Sequence, residues 1–341
     1  MKFKRTLAGL TASGLALGLV GCGNDPKAEV DSAGNSKLTV SLPFASCLAW
    51  WPFYAAEAQG FYDDAKVAPT FEGLDGSAAA IQAALSGKAD VAVSAPDNYL
   101  SAAAEGAPVT GWFSFYQTQA FFLVTPTDSG INSVDDLKGK TVGISTPGGG
   151  DVTYAESLLA MSDLTKDKDY KELAVGDGGS AATALKKGSA DAYSASYFDE
   201  EIIKASGIDL TTISNDEYPD VVGQLLVSTK DWLDANPEVV DKFGEAVARG
   251  TAWGLANRDK VVDVCAKVAP DETEDRKFAQ VIVDRVADLV TLPDAAGDKY
   301  GVIDETAWED YRDLLVDLKI VPEGASEVGV DNDHGDAWNE K

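Results

Sequence analysis

The chain has 341 residues, with 56 Asp plus Glu against 28 Lys plus Arg, one His, and a formal net charge of −28. Apolar residues at 45% and aromatics at 9% fit a folded globular protein, and the length predicts two domains with ample core. The charge excludes nucleic-acid binding, whose affinity comes from Lys and Arg on phosphates, and gives no basic attraction to anionic lipid heads. Catalysis that needs a histidine is excluded too, because His334 stands close to the C-terminal end.

Residues 1–21 read as an export signal. Lys2, Lys4 and Arg5 form a positive start, and the apolar run 7–20 is too short to span a bilayer. Removing these three cations takes the charge from −28 to −31. The ending Leu19-Val20-Gly21-Cys22 resembles the lipobox of bacterial lipoproteins, which implies cleavage before Cys22 and a diacylglycerol on its thiol. Residues 22–36 are polar and turn-rich, as a tether is. The expected location is the outer face of the cell membrane, held by lipid. No later segment is long and apolar enough to span.

Strand-like and helix-like runs then alternate. Residues 37–42 read as a strand, 52–60 as a short helix stopped at Gly60, and 77–85 as a helix begun after Asp75-Gly76. A buried-type strand at 90–94 precedes a helix at 98–105. Strands follow at 120–125 and 140–145, with a turn of helix at 134–137 between them. The Gly-rich turn 147–150 opens a helix at 152–161. It lacks the Lys-Ser/Thr of a nucleotide-binding P-loop. Helix 181–187, strand 190–194, helix 200–205 and strand 222–228 come next, and residues 231–319 are almost wholly helical. Repeated strand–helix units predict an α/β fold with parallel sheets. The extended runs 121–127 and 222–229 are expected to cross between two lobes, one of residues 37–124 plus 226–341, the other of 125–225.

Two cysteines remain, Cys47 and Cys265. They pair in an oxidising exterior or stay as buried thiols, and the sequence leaves both open. Neither has zinc-ligand spacing. The run 331–336 looks faintly like a calcium loop but lacks the acidic twelfth ligand, and is expected to be a solvated acidic tail.

Six segments in order carry a resemblance that covers nearly the whole chain after the tether. They are Pro52-Phe-Tyr-Ala-Ala-Glu-Ala-Gln-Gly-Phe-Tyr62, Leu85-Ser-Gly-Lys-Ala-Asp-Val91, Gly106-Ala-Pro-Val109, the stretch from Ile131 to Ile144, that from Ala184 to Ala192, and Ser228-Thr-Lys-Asp-Trp-Leu-Asp-Ala-Asn-Pro237. The chain resembles solute-binding proteins of ABC importers, in the family of sulfonate, nitrate, taurine and thiamine-pyrimidine binders. The resemblance implies a type II periplasmic-binding-protein fold with two crossover strands. It also implies a small ligand in an interlobe cleft and a membrane permease as partner, with the protein expected to be a monomer.

Ligands of open α/β sheets sit beyond the carboxyl ends of strands. Those ends carry aromatics, of which Trp50, Trp51, Tyr116 and Tyr197 are candidates to stack a flat ring. Acids also fall there: Asp75, Asp97, Asp151 and Asp199, acceptors for an amine, a ring N–H or a cation. Ser77, Ser94 and Gln117 offer further polar groups, and Gly149 and Gly150 offer backbone N–H groups. Arginine is absent between Arg5 and Arg249, so guanidinium capture of an anion by the earlier loops is impossible. The expected ligand is a neutral or cationic heteroaromatic, an aminopyrimidine thiamine precursor fitting best; a sulfonate or nitrate anion is the alternative. No cofactor or metal is expected. An enzyme of this fold that makes a pyrimidine from histidine and a pyridoxal cofactor uses a Cys-rich motif, which is missing here. An extracellular sensor is a further reading that the sequence does not separate from import.

Overall fold

The computed structural model describes residues 27–147, 149–292 and 299–339. The export signal, the lipobox and Cys22 lie outside the described residues.

Two five-stranded sheets form the frame, each with helices on both faces. The first has the order β2-β1-β3-β10-β4, built from β1 (Ser36–Leu42), β2 (Val67–Gly73), β3 (Val91–Ser94), β4 (Val109–Ser114) and β10 (Leu225–Thr229). The second has the order β7-β6-β8-β5-β9, from β5 (Phe121–Pro126), β6 (Thr141–Ile144), β7 (Lys171–Ala174), β8 (Ala192–Ser196) and β9 (Leu210–Ile213). The two orders are the same pattern. Four strands of each sheet run in one direction, and the strand at the fourth position is antiparallel to both its neighbours, β10 in one sheet and β5 in the other.

That pattern relocates the crossings. The runs 121–127 and 222–229 were expected to bridge the lobes. Instead, Phe121–Pro126 pairs with β8 and β9, and Leu225–Thr229 pairs with β3 and β4, so each is a strand reached just after the chain has crossed. The connections themselves are residues 115–120 and 214–224. Each crossing therefore ends in a central strand of the lobe it enters, and residues 121–124 belong to the second sheet, not the first.

In the first lobe, α1 (Trp51–Ala58), α9 (Pro237–Ala256), α10 (Arg258–Val268) and α11 (Arg276–Val290) cover one face around Trp50, Trp51, Phe53 and Phe243. α2 (Phe61–Ala65) and α8 (Lys230–Ala235) pack on that same face, and the other face is covered by α3 (Ser77–Leu85), α4 (Pro96–Ala104) and α12 (Glu305–Asp317). In the second lobe, α5 (Gly150–Ala160) lies on one side of the sheet, and α6 (Gly178–Lys187) and α7 (Tyr197–Ala205) on the other.

Cys47 and Cys265 form a disulfide between the loop before α1 and α10. The carboxylate of Glu272 holds the same loop, accepting from Ser46 Oγ at 2.8 Å and from the Cys47 and Leu48 N–H groups at 3.1 Å each.

The C-terminal stretch departs from the expected solvated tail. Asn332 is bonded to both the N–H and the carbonyl of Ile303, Asp331 donates its N–H to Gly111, and Trp338 is buried against Trp112 and Phe113. One large ring supplies enough apolar burial to hold a polar segment down. No cluster suited to a metal ion occurs among the described residues, and no helix among them is long and apolar enough to cross a membrane.

Candidate ligand-binding site

Residues just past the carboxyl end of β1 in one sheet, and past those of the parallel neighbours β6 and β8 in the other, border a common space. The N-termini of α3, α5, α6 and α7, which follow strands in the chain, line it too. Together they enclose a cavity of about 510 Å³. Each of these helices begins at or before its expected first residue: α5 starts at Gly150 rather than 152, α6 at Gly178 rather than 181, and α7 at Tyr197 rather than 200. The first N–H groups of a helix need no partner within it, so apolar periodicity starts later than the helix does. Here the early turns carry glycine and tyrosine, which brings backbone close to the cavity. At Gly150 a Cβ would sit 2.6 Å from Ala95 Cβ and 2.8 Å from Phe121 Cζ, so only glycine permits this approach of the lobes.

Six rings form the apolar wall. Trp50 and Tyr116 are buried and stacked, centroids 5.6 Å apart and planes 10° from parallel. The Trp50 indole N–H donates to the Phe44 carbonyl at 2.9 Å, and the Tyr116 hydroxyl lies 2.6 Å from the Ala49 carbonyl and 2.9 Å from the Tyr197 hydroxyl. The tyrosine pair joins the lobes across the cleft. These three rings have their polar atoms occupied and most of their surface covered. Phe44, Phe121 and Phe198 are only half-buried, and they leave ring surface open to a ligand.

Four carboxylates stand around the rim and floor: Asp75, Asp151, Asp177 and Asp199. No Lys, Arg or His lines the cavity among the described residues. Helix N-termini ordinarily attract anions. The chain places its own carboxylates on three of the four. Asp151, in the first turn of α5, accepts from the Ser145 N–H at 2.9 Å and the Ser145 hydroxyl at 2.5 Å. Asp199 closes a capping box with Ser196 at the head of α7 and accepts the Gly178 N–H at 2.8 Å. Asp177 is the residue before α6. Burial raises the Asp151 carboxyl to about 6, against the lowering effect of its Ser145 hydrogen bonds. Burial raises Asp199 as well, against the Gly178 and Ser196 bonds.

Nine of the thirteen residues expected at the site line this cavity: Trp50, Asp75, Ser77, Tyr116, Gly149, Gly150, Asp151, Tyr197 and Asp199. Ser77 does so with its hydroxyl already accepting the Ala95 N–H at 3.1 Å. Four expectations are corrected. Trp51 is fully buried in the core, filling the space that Gly254 leaves on α9. Ser94 is also fully buried, its hydroxyl bonded to the Ala95 carbonyl. Gln117 turns back to the Ser114 carbonyl at 3.0 Å. Asp97 is buried where α4 meets α5, hydrogen-bonded to Thr153 across the interlobe contact rather than facing the cavity.

Sequence reasoning missed Phe44, Phe121, Asp177 and Gln224. Phe44 lies two residues past the end of β1 and was reachable by the strand-end rule, whereas Asp177 lies past β7, a strand the sequence pattern does not show. Phe121 reads as part of an apolar strand. Gln224 reads as a lone polar residue inside the apolar run 222–228, and only the structure places it in the connection before β10.

An enclosed cavity at the facing strand ends of two α/β lobes is the architecture of a solute-binding protein. The chain belongs to the NMT1/THI5 like family, whose sequence model matches residues 49–261. It is similar to the formylaminopyrimidine-binding protein of Halalkalibacterium halodurans, 23% identical over 79% of this chain and 83% of that protein. It is also similar to the riboflavin-binding protein RibY of Chloroflexus aurantiacus, 23% identical over 69% of this chain and 67% of that one. Among solved structures, the nitrate-binding protein NrtA of Synechocystis PCC 6803 superposes with a TM-score of 0.67 at 13% identity, covering 92% of this chain and 88% of that one. The alkanesulfonate-binding protein SsuA of Xanthomonas axonopodis, bound to MOPS, gives 0.64 at 18% identity over 84% and 95%. The fold is therefore the periplasmic-binding-protein fold.

Proposed function

We propose that the protein is an extracytoplasmic receptor of an ABC importer, anchored through lipid on Cys22, that binds a small amino-substituted heteroaromatic ring in the interlobe cavity. A thiamine-precursor aminopyrimidine is the foremost ligand. The observation that carries this reading is the cavity wall: open phenylalanine faces, four carboxylates and, among the described residues, no cation. Ring faces stack a flat ligand, and carboxylates accept from exocyclic amines and ring N–H groups. An oxyanion such as a sulfonate or nitrate would meet carboxylates already seated on three of the four helix N-termini. The formylaminopyrimidine specificity of one relative supports the same reading. The Cys47–Cys265 disulfide supports an oxidising compartment. The reading is binding without catalysis, supported by relatives that are binding proteins, by a monomer that hands its ligand to a permease.

A second reading is an isoalloxazine ligand. The cavity of about 510 Å³ has more room than a single six-membered ring fills, and one relative binds riboflavin.

Calorimetric titration decides between them. With 4-amino-5-hydroxymethyl-2-methylpyrimidine, a Kd in the micromolar range or tighter is expected, equivalent to about 8 kcal/mol. Tight binding of riboflavin with none of the pyrimidine selects the second reading. Tight binding of nitrate or taurine, with neither heteroaromatic bound, overturns both.

A further inference from the structure

One buried polar side chain at the cavity wall keeps an acceptor atom without a hydrogen-bond partner among the described residues. Gln224 lies on the second crossing segment, directly before β10. It is 5% exposed, lines the cavity, and its Oε1 has no hydrogen-bond partner among the described residues. The other polar groups of the wall differ. The Ser145 and Ser196 hydroxyls are bonded to carboxylates, the Ser77 hydroxyl to backbone, and the two tyrosine hydroxyls to each other. A buried acceptor without a partner is costly, and of the buried polar atoms left unpartnered among the described residues this is the one at the cavity wall, where a bound group can reach it.

The backbone beneath this amide is rigidly placed. The Gln224 carbonyl accepts from the Phe115 N–H at 2.8 Å and the Tyr116 N–H at 3.1 Å, and the Gly223 N–H donates to the Tyr116 carbonyl at 2.8 Å. These bonds stitch the second crossing to the first. At Gly223 a Cβ would meet Tyr116 Cβ at 2.5 Å, so the two crossings are in close contact. The amide thus projects from the line about which the lobes hinge, the part of a clamshell that moves least on closure.

We propose that Gln224 is the residue that reads the edge of the ligand ring. A primary amide carries an acceptor and two donors in one plane. It matches a ring edge on which an N–H donor and an acceptor nitrogen or carbonyl lie side by side, as in amino-azines and cyclic amides. It does not match an edge that lacks both. The phenylalanine faces select flatness, the carboxylates favour amines, and Gln224 selects the paired edge. This inference rests on the heteroaromatic reading above and adds the class of edge to it.

The test compares 4-amino-5-hydroxymethyl-2-methylpyrimidine with the same ring lacking the 4-amino group, titrated into wild-type protein and into Gln224→Met. The wild type is expected to prefer the amino ring by about tenfold or more, and Gln224→Met to reduce that preference to about twofold, chiefly by weakening the amino ring. Relief of the unpartnered acceptor leaves the melting temperature of Gln224→Met at or above the wild-type value. If the methionine does not fit, Gln224→Leu serves with the same expected loss. A wild type that binds both rings equally, or a variant that keeps the full preference, overturns the role of Gln224 and leaves the heteroaromatic reading standing. Binding of neither ring by the wild type removes that reading and this inference with it.

Discussion

Asp97 shows how one residue, expected at the ligand, takes another role. It is buried, its Oδ2 has no partner among the described residues, and burial raises its carboxyl to about 7 against the lowering effect of the Thr153 hydrogen bond. The unfolded chain loses this proton near pH 4, and the folded chain keeps it to about 7. Between those values the folded state binds more protons, so stability falls as pH rises through the window and stays low above it. Asp151 and Asp199, raised in the same direction, add to the trend. Asp97→Asn is expected to stabilise the protein at pH 8 by roughly 2–4 kcal/mol and to change little at pH 4. Urea unfolding at the two pH values measures this, and an Asn variant less stable at pH 8 would show that the charge is held by a partner. Trp50 gives the converse lesson. It lines the cavity, but truncating so buried an indole removes core packing worth about 3–5 kcal/mol, so Trp50→Ala reports on folding before it reports on ligand.

At the scale of elements, the strands read from sequence are the central ones, and those missed are the edges. β1, β3 and β10 were legible in the first sheet, and β5, β6 and β8 in the second. β2, β4, β7 and β9, which escaped, are the four outermost strands. Edge strands need not be apolar on both faces and tolerate residues that a central ladder rejects. β2 holds Pro69, β4 holds Gly111, and β7 is largely exposed. The loop before α1 is the element on which the site most depends, since it carries Phe44 and Trp50 and is fixed by the disulfide and Glu272. Cys265→Ser is expected to cost about 2–4 kcal/mol of stability and to weaken ligand binding by loosening that loop. Thermal unfolding with and without ligand checks both. An unchanged ligand-induced shift in melting temperature would mean that Glu272 alone holds the loop.

For the whole molecule, closure rests on a few contacts between lobes. Besides the Tyr116–Tyr197 pair, Arg285 on α11 reaches Glu200 at 2.7 Å and Glu201 at 3.6 Å on α7, and lies over the Phe122 ring. Glu200 is buried while Arg285 is about a third exposed, so the pair is shielded better than a surface salt bridge. Contacts made only in the closed state bias the open–closed equilibrium, and a ligand that needs closure loses apparent affinity when they go. Arg285→Met is expected to weaken ligand binding about three- to tenfold, mainly through faster release, and to raise the radius of gyration of the apo protein in small-angle scattering. Unchanged release kinetics would show that the latch does not govern closure.

The sequence by itself determined the two α/β units, the helical stretch 231–319, the wealth of aromatics and acids at strand ends, and the lack of arginine between Arg5 and Arg249. These are local or compositional properties, written in periodicity and residue type. The tertiary structure alone decided which of them face the cavity. Trp50 and Trp51 are neighbours in sequence, but α1 starts between them, so one borders the ligand space and the other fills the gap over Gly254. Asp97 and Asp151 both stand in first turns of helices, yet only one opens on the cleft. Gln224 gains its meaning from its place at the end of the second crossing and from Tyr116, more than a hundred residues earlier. Which side chains meet is fixed by long-range packing of the lobes, and no local pattern carries that information.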